Sequence, residues 1–208
     1  MRALRGLVRH VATIGCVLAL AGGLAFPRPA TAHPHVWIDT RLDFLFDRNR
    51  LTGLNVSWTF DELFSDYVLN DVGYDGGGEL SDAQVETIRK NAFFELRQYN
   101  FYTDIRIDGG KLALPPERVR DFDVALDGHQ VIYRFRVDLP EPVDTRSHHV
   151  TVSPYDPEFY VEMALAPDEP VRIEGGAACR PTVGENRAEP IYFGMVYPIV
   201  VSLSCAGS

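Results

Sequence analysis

From residue 35 the chain alternates in character, residue by residue. Val36, Ile38, Leu42, Phe44 and Phe46 fall on one side, and His35, Trp37, Asp39, Arg41 and Asp43 on the other. A period of two is the mark of a strand with one face buried. The polar run Asp47-Arg48-Asn49-Arg50 turns the chain, and Leu54, Val56, Trp58 and Phe60 alternate again, so a hairpin is expected. A two-stranded ribbon with large apolar residues on one face cannot stand alone in water. The rest of the chain must supply further strands and a layer to cover that face.

The period changes after Phe60. Phe60, Leu63, Phe64, Tyr67 and Val68 recur at helical spacing, with Thr59-x-x-Glu62 reading as a capping box. A second helix opens at Ser81-x-x-Gln84 and carries Val85, Ile88, Ala92 and Leu96 on one face. Strands return from residue 101: Phe101–Ile107, Phe122–Leu126, then Val131–Val137 after the hairpin signal Asp127-Gly128. Shorter strands near 149–153, 159–165, 171–174 and 198–205 bring the expected number to about nine. Strands, a helical pair, then strands predict an α+β domain with mainly antiparallel pairing, not a βαβ series.

The helical pair encloses a glycine-rich loop resembling a degenerate EF-hand. With Gly73 at loop position one, Asp75 is at three, Gly78 at six, Ser81 at nine and Gln84 at twelve. The glycine fits, but positions one and five are glycines and position twelve has no carboxylate, so calcium is not expected here. Asp61 and Glu62 sit in the first turn of a helix, where acids favour the positive end of the dipole.

The first 32 residues read as a secretory signal peptide. Arg2, Arg5 and Arg9 precede the apolar run 11–26, and Ala30-Thr31-Ala32 has the small-x-small form of a cleavage site. The expectation is export to the periplasm and a single mature domain over 33–208. Arg2, Arg5, Arg9 and Arg28 leave with the signal. Sixteen basic against twenty-nine acidic side chains then remain, about −13, which argues against nucleic acid and suits cations. Cys179 and Cys205 are the two cysteines of that domain, and in an oxidising compartment they read as one disulfide tying the last strand to the loop before it.

Cleavage after Ala32 would make His33 the first residue. Its α-amine and imidazole could chelate one ion, and imidazole nitrogen suits copper, zinc and nickel. The rival square-planar site through a histidine at position three needs an ionisable amide at position two, and Pro34 has none. The candidate ligands are His33 and His35, with His149 and Asp156 as further donors and Asp39 as a carboxylate orienting an imidazole. By alternation His148 would face the core with Val150 and Val152, leaving His149 on the polar side. His129 reads as a hairpin residue.

Several segments together resemble a family of bacterial periplasmic proteins: "AHPHVWID", "SWTFDELFS", "ELSDAQ", "YDPEFYVEM" and the two late cysteines. The family is labelled the periplasmic component of an ABC-type transport system, and its genes often neighbour permeases of the nickel/cobalt class. The resemblance implies a periplasmic accessory holding a divalent transition metal (nickel, cobalt, zinc or copper) for an inner-membrane metal permease or ABC transporter. The alternatives are a small solute-binding component of an ABC transporter and a copper histidine-brace enzyme. No G-x-S-x-G, H-E-x-x-H or P-loop motif is present.

Overall fold

The computed structural model describes residues 35–175 and 178–205. The proposed signal peptide and His33 lie outside the described residues. The fold is α+β and mostly β, with eleven strands in two sheets rather than about nine. One of the two extra strands is two residues long and the other is exposed beyond its first residue, so no burial pattern marks them in the sequence.

The hairpin of β1 (Val36–Asp47) and β2 (Arg50–Phe60) forms as the alternation requires. It lies inside the first sheet. There β5 (Val119–Asp127) pairs β6 (Gln130–Asp144), β6 pairs β2, and β2 pairs β1, all antiparallel. Two short strands, β8 (Val161–Leu165) and β9 (Val171–Glu174), share the remaining edge of β1 and run parallel to it. The linker between them is tied down by Ala166 N–H donating to Thr40 O and Leu42 N–H donating to Pro170 O. The second sheet has the order β10 (Cys179–Glu185), β11 (Ile199–Cys205), β7 (Val150–Pro154), β3 (Thr103–Ile107), β4 (Gly110–Lys111).

One continuous core joins both sheets. Leu42, Phe44, Leu54, Trp58 and Val137 from the first sheet, and Ile105, Val150, Val152 and Val201 from the second, are all fully buried. Trp58 is ringed by Phe93, Tyr102 and Phe135, the last edge-on at 4.8 Å between centroids. Phe93 and Tyr102 come from a kinked 3-10 segment, Phe93–Tyr102, in which Asn100, Phe101 and Tyr102 have positive φ. That kink ends the helical region, so β3 begins at Thr103 and not at Phe101.

Helix α1 (Glu62–Asp71) does not start at a Thr59-x-x-Glu62 box. Thr59 is still in β2, opposite Asp39 and Ile132. Asp61 is the N-cap, accepting from Phe64 N–H at 2.9 Å. The helix is also rotated from the expected face. Leu63 and Tyr67 are exposed, while Ser65, Val68 and Leu69 are buried. The cause is Ser65, whose hydroxyl accepts the Val131 N–H of β6 at 2.9 Å. A small side chain there lets the helix approach the sheet and supplies the acceptor a buried N–H requires. Helix α2 (Asp82–Asn91) opens with the expected capping box, Ser81 with Gln84, and buries Ile88.

The disulfide joins Cys179 and Cys205. Residues 179–185 are a strand, not a loop, and the two cysteines are directly opposed in the β10–β11 ladder.

Candidate functional site

His35 is exposed at the entry to β1. Its N–H donates to Tyr160 O at 3.0 Å, and its ring lies on the Tyr160 ring at 4.7 Å between centroids. Neither imidazole nitrogen bonds another described residue. Tyr160 and Glu162 follow one another on the outward side of β8, as His35 and Trp37 do on β1. Trp37 Nε1–H donates to Glu162 Oε2 at 3.1 Å. Asp61 closes the other side: its Oδ2 accepts the Trp37 N–H at 2.8 Å while its Oδ1 caps α1. Asp61 is therefore not an acid inside the first helical turn, as expected, but the cap before it, with Glu62 in the first turn, and it also fixes the helix to the first strand.

Asp156 sets the position of Tyr160. It is buried, and its two oxygens accept three backbone N–H groups: Glu158 at 2.9 Å, Tyr160 at 2.9 Å and Val161 at 3.0 Å. Such charge-assisted bonds fix the loop that feeds β8. The sequence reading offered Asp156 as a ligand. The structure brings it close to His35 through Tyr160, but its lone pairs are already engaged. Nearby, burial and then the Asp156 charge push the Tyr102 phenol well above its ordinary range. A hydrogen bond to Glu158 likewise raises Tyr99.

The other candidates are elsewhere. His148 and His149 precede β7, and both are exposed, so the expected core position of His148 does not hold. The reason is local: the chain turns at Thr145–Ser147, and strand alternation begins only at Val150. Asp108 ties this turn to the β3–β4 hairpin. It accepts the His149 N–H at 2.8 Å and meets His148 Nδ1 at 2.6 Å. His149 immediately precedes β7 and Asp156 follows it, so a five-residue strand about 17 Å long separates them. His149 is thus not brought to His35. Asp39 shares the outward face of β1 with His35 but lies four residues on, about 13 Å away. It does not touch the imidazole.

Among the described residues no three His, Cys, Asp or Glu side chains are grouped closely enough to hold an ion. His35 alone is one donor, and any metal site at this corner needs ligands from outside the described residues. The residue the sequence reading missed is Tyr160, the platform under His35. Its signal was present in "YDPEFYVEM": an Asp-Pro turn followed by alternation places Tyr160 at the start of a strand.

An uncharacterized protein of Haemophilus influenzae is 27% identical over 144 residues, covering 69% of this chain and 68% of that protein. An uncharacterized 15.5 kDa protein in the trpE 3' region of Spirochaeta aurantia is 27% identical over 126 residues, covering 59% of this chain and 87% of that protein. A family model described as a protein of unknown function, DUF1007, matches residues 18–193, and the chain belongs to that family.

Proposed function

We propose that this is an exported protein that carries a divalent transition-metal ion (nickel, cobalt, zinc or copper) and serves an inner-membrane metal permease or ABC transporter. The observation that supports the reading is His35, an exposed imidazole whose nitrogens bond no other described residue, held in place by Tyr160. Two positions earlier in the sequence is His33, which after cleavage behind Ala32 contributes an imidazole and an α-amine. His33 and His35 would then supply three nitrogen donors within three residues of sequence, a set suited to borderline-soft cations. Asp156 serves the site by holding the Tyr160 platform and not as a ligand. The acidic surface raises the local concentration of cations.

The EF-hand-like loop between α1 and α2 is part of the same reading only as a turn. Asp75 Oδ1 accepts the Gly77 N–H at 3.1 Å, Tyr74 hydroxyl donates to Gly78 O, and Gln84 Nε2–H donates to Val72 O at 3.2 Å. These bonds close the loop on itself.

The test is metal titration of the secreted mature protein by calorimetry, with the N-terminal residue fixed by mass spectrometry. Wild type should bind one ion, and His33→Ala and His35→Ala should each weaken it by about tenfold or more. Equal affinity in all three proteins removes the proposal.

A further inference from the structure

The outward face of the first sheet is not flat. A concavity of about 430 Å³ lies over the central strands β1, β2 and β6. One wall is the β8–β9 linker, drawn over the face by Arg41, whose Nη2–H and Nε–H donate to the carbonyls of Asp168 and Glu169 at 2.9 and 3.1 Å. The other wall is a bulge in β5 between Arg120 and Asp123, where Asp121 takes a positive φ of 56°. A bulge of this kind re-aims a side chain, and Asp121 lines the hollow.

The charged groups of the rim satisfy one another. Arg172 donates to Glu169 at 2.6 Å, Arg136 donates to Asp138 at 2.8 Å, and Arg120 is shared between Asp138 and Asp121. The floor is different. Asp39, Asn55, Ser57, Thr59 and Arg134 all line the hollow, and none of their side chains bonds another described residue. The strand register sets them in order. Asp39 is opposite Thr59, which is opposite Ile132; one outward step along, Arg41 is opposite Ser57, which is opposite Arg134. Two uncommitted carboxylates, Asp39 and Asp43, thus lie on β1 and one uncommitted guanidinium on β6, with hydroxyl and amide groups between them.

Two strand spacings and one outward step put the Asp39 and Arg134 backbones about 12 Å apart. Side chains that stand perpendicular to the sheet keep the two charged groups about that far apart, which matches the roughly 7 Å span of two extended residues with a hydrogen bond of about 2.8 Å at each end. The β1 side of the hollow also carries Asp43, Asp168, Glu169 and Glu174 in its surroundings, which opposes a simple anion there. We propose that this groove binds a small zwitterion of dipeptide size, its ammonium on Asp39, its carboxylate on Arg134 and its backbone on Asn55, Ser57 and Thr59. The site is separate from the His35 corner and needs no metal.

The probe is glycylglycine, titrated by calorimetry and followed by amide chemical shifts, beside its N-acetyl and C-amide forms. The free dipeptide should bind, and each blocked form should bind about tenfold more weakly, as expected for loss of one charge-assisted contact. Arg134→Gln should erase the preference for the free carboxylate, and Asp39→Asn the preference for the free ammonium. Neither side chain bonds the rest of the described fold, so both variants should keep the wild-type melting temperature. Absence of binding up to ~10 mM for all three probes overturns the proposal, as does an unchanged preference in both variants. Both readouts are independent of the metal titration.

Discussion

Two turns in this protein are organised by one aspartate each, and each stands beside a candidate histidine. Asp156 is buried and accepts three backbone N–H groups at the entry to β8, under Tyr160 and His35. Asp108 is half exposed and accepts one backbone N–H together with the His148 ring at the entry to β7. The chemistry is the same and the surroundings differ. The Val161 N–H is buried and those of Glu158 and Tyr160 are partly so, and water replaces a lost acceptor less readily there than at the exposed Asp108. Asp156 is therefore a structural pin whose work leaves His35 at liberty, while Asp108 engages the ring of His148 and the backbone N–H of the candidate His149.

The largest effect is expected at the buried turn. Asp156→Ala orphans three N–H groups at once and should cost about 3 kcal/mol or more, read as a shift of the urea midpoint. A loss under ~1 kcal/mol would erase the contrast between the two turns. Ser65 extends the comparison to a single buried acceptor. Ser65→Ala leaves the Val131 N–H without its partner, and a loss of about 1–2 kcal/mol is expected by the same measurement.

Asp108 should behave differently, with an effect that depends on pH. Its hydrogen bond with the His148 ring, and then the one from His149 N–H, hold its carboxyl below the ordinary carboxylate range. A folded-state value below the unfolded one stabilises at pH above the unfolded value, near 3.9. That contribution is lost as pH falls through the depressed folded value. The melting temperatures of wild type and Asp108→Asn should therefore differ slightly at pH 6 and converge as pH falls below 4. A difference that stays constant down to pH 2 would mean that Asp108 acts through shape and not through charge.

The parts of this arrangement that the sequence announced are those governed by a strict period. The alternation of Val36 to Phe46 and of Leu54 to Phe60 named the buried faces of β1 and β2, and the Cys179–Cys205 pair followed from cysteine number and the expected compartment. Period failed where one residue outweighed it. Ser65 turned α1 so that Leu63 and Tyr67 face solvent, because a buried N–H on a distant strand needed a hydroxyl. His148 left the core side because the chain was still turning two residues before Val150. Residue type alone marks the ligand candidates, and type does not reveal that Asp156 spends its lone pairs on its own turn or that Asp39 and His149 lie far from His35. The groove was illegible for a related reason: Asp39, Ser57 and Arg134 become neighbours only through the register of three strands.

The smallest stability effect is expected at His35, and it decides whether that residue is functional. Its ring contributes one exposed stacking contact with Tyr160 and no hydrogen bond to a described residue. Surface substitutions of this kind stay within about 0.5 kcal/mol. His35→Ala should thus keep the wild-type urea midpoint while losing metal affinity. Asp156→Asn, by contrast, should lose stability first and metal affinity only through disorder of the Tyr160 platform. If His35→Ala instead destabilised the fold as much as Asp156→Asn, the imidazole would be a packing element, and the two aspartate turns would differ only in depth.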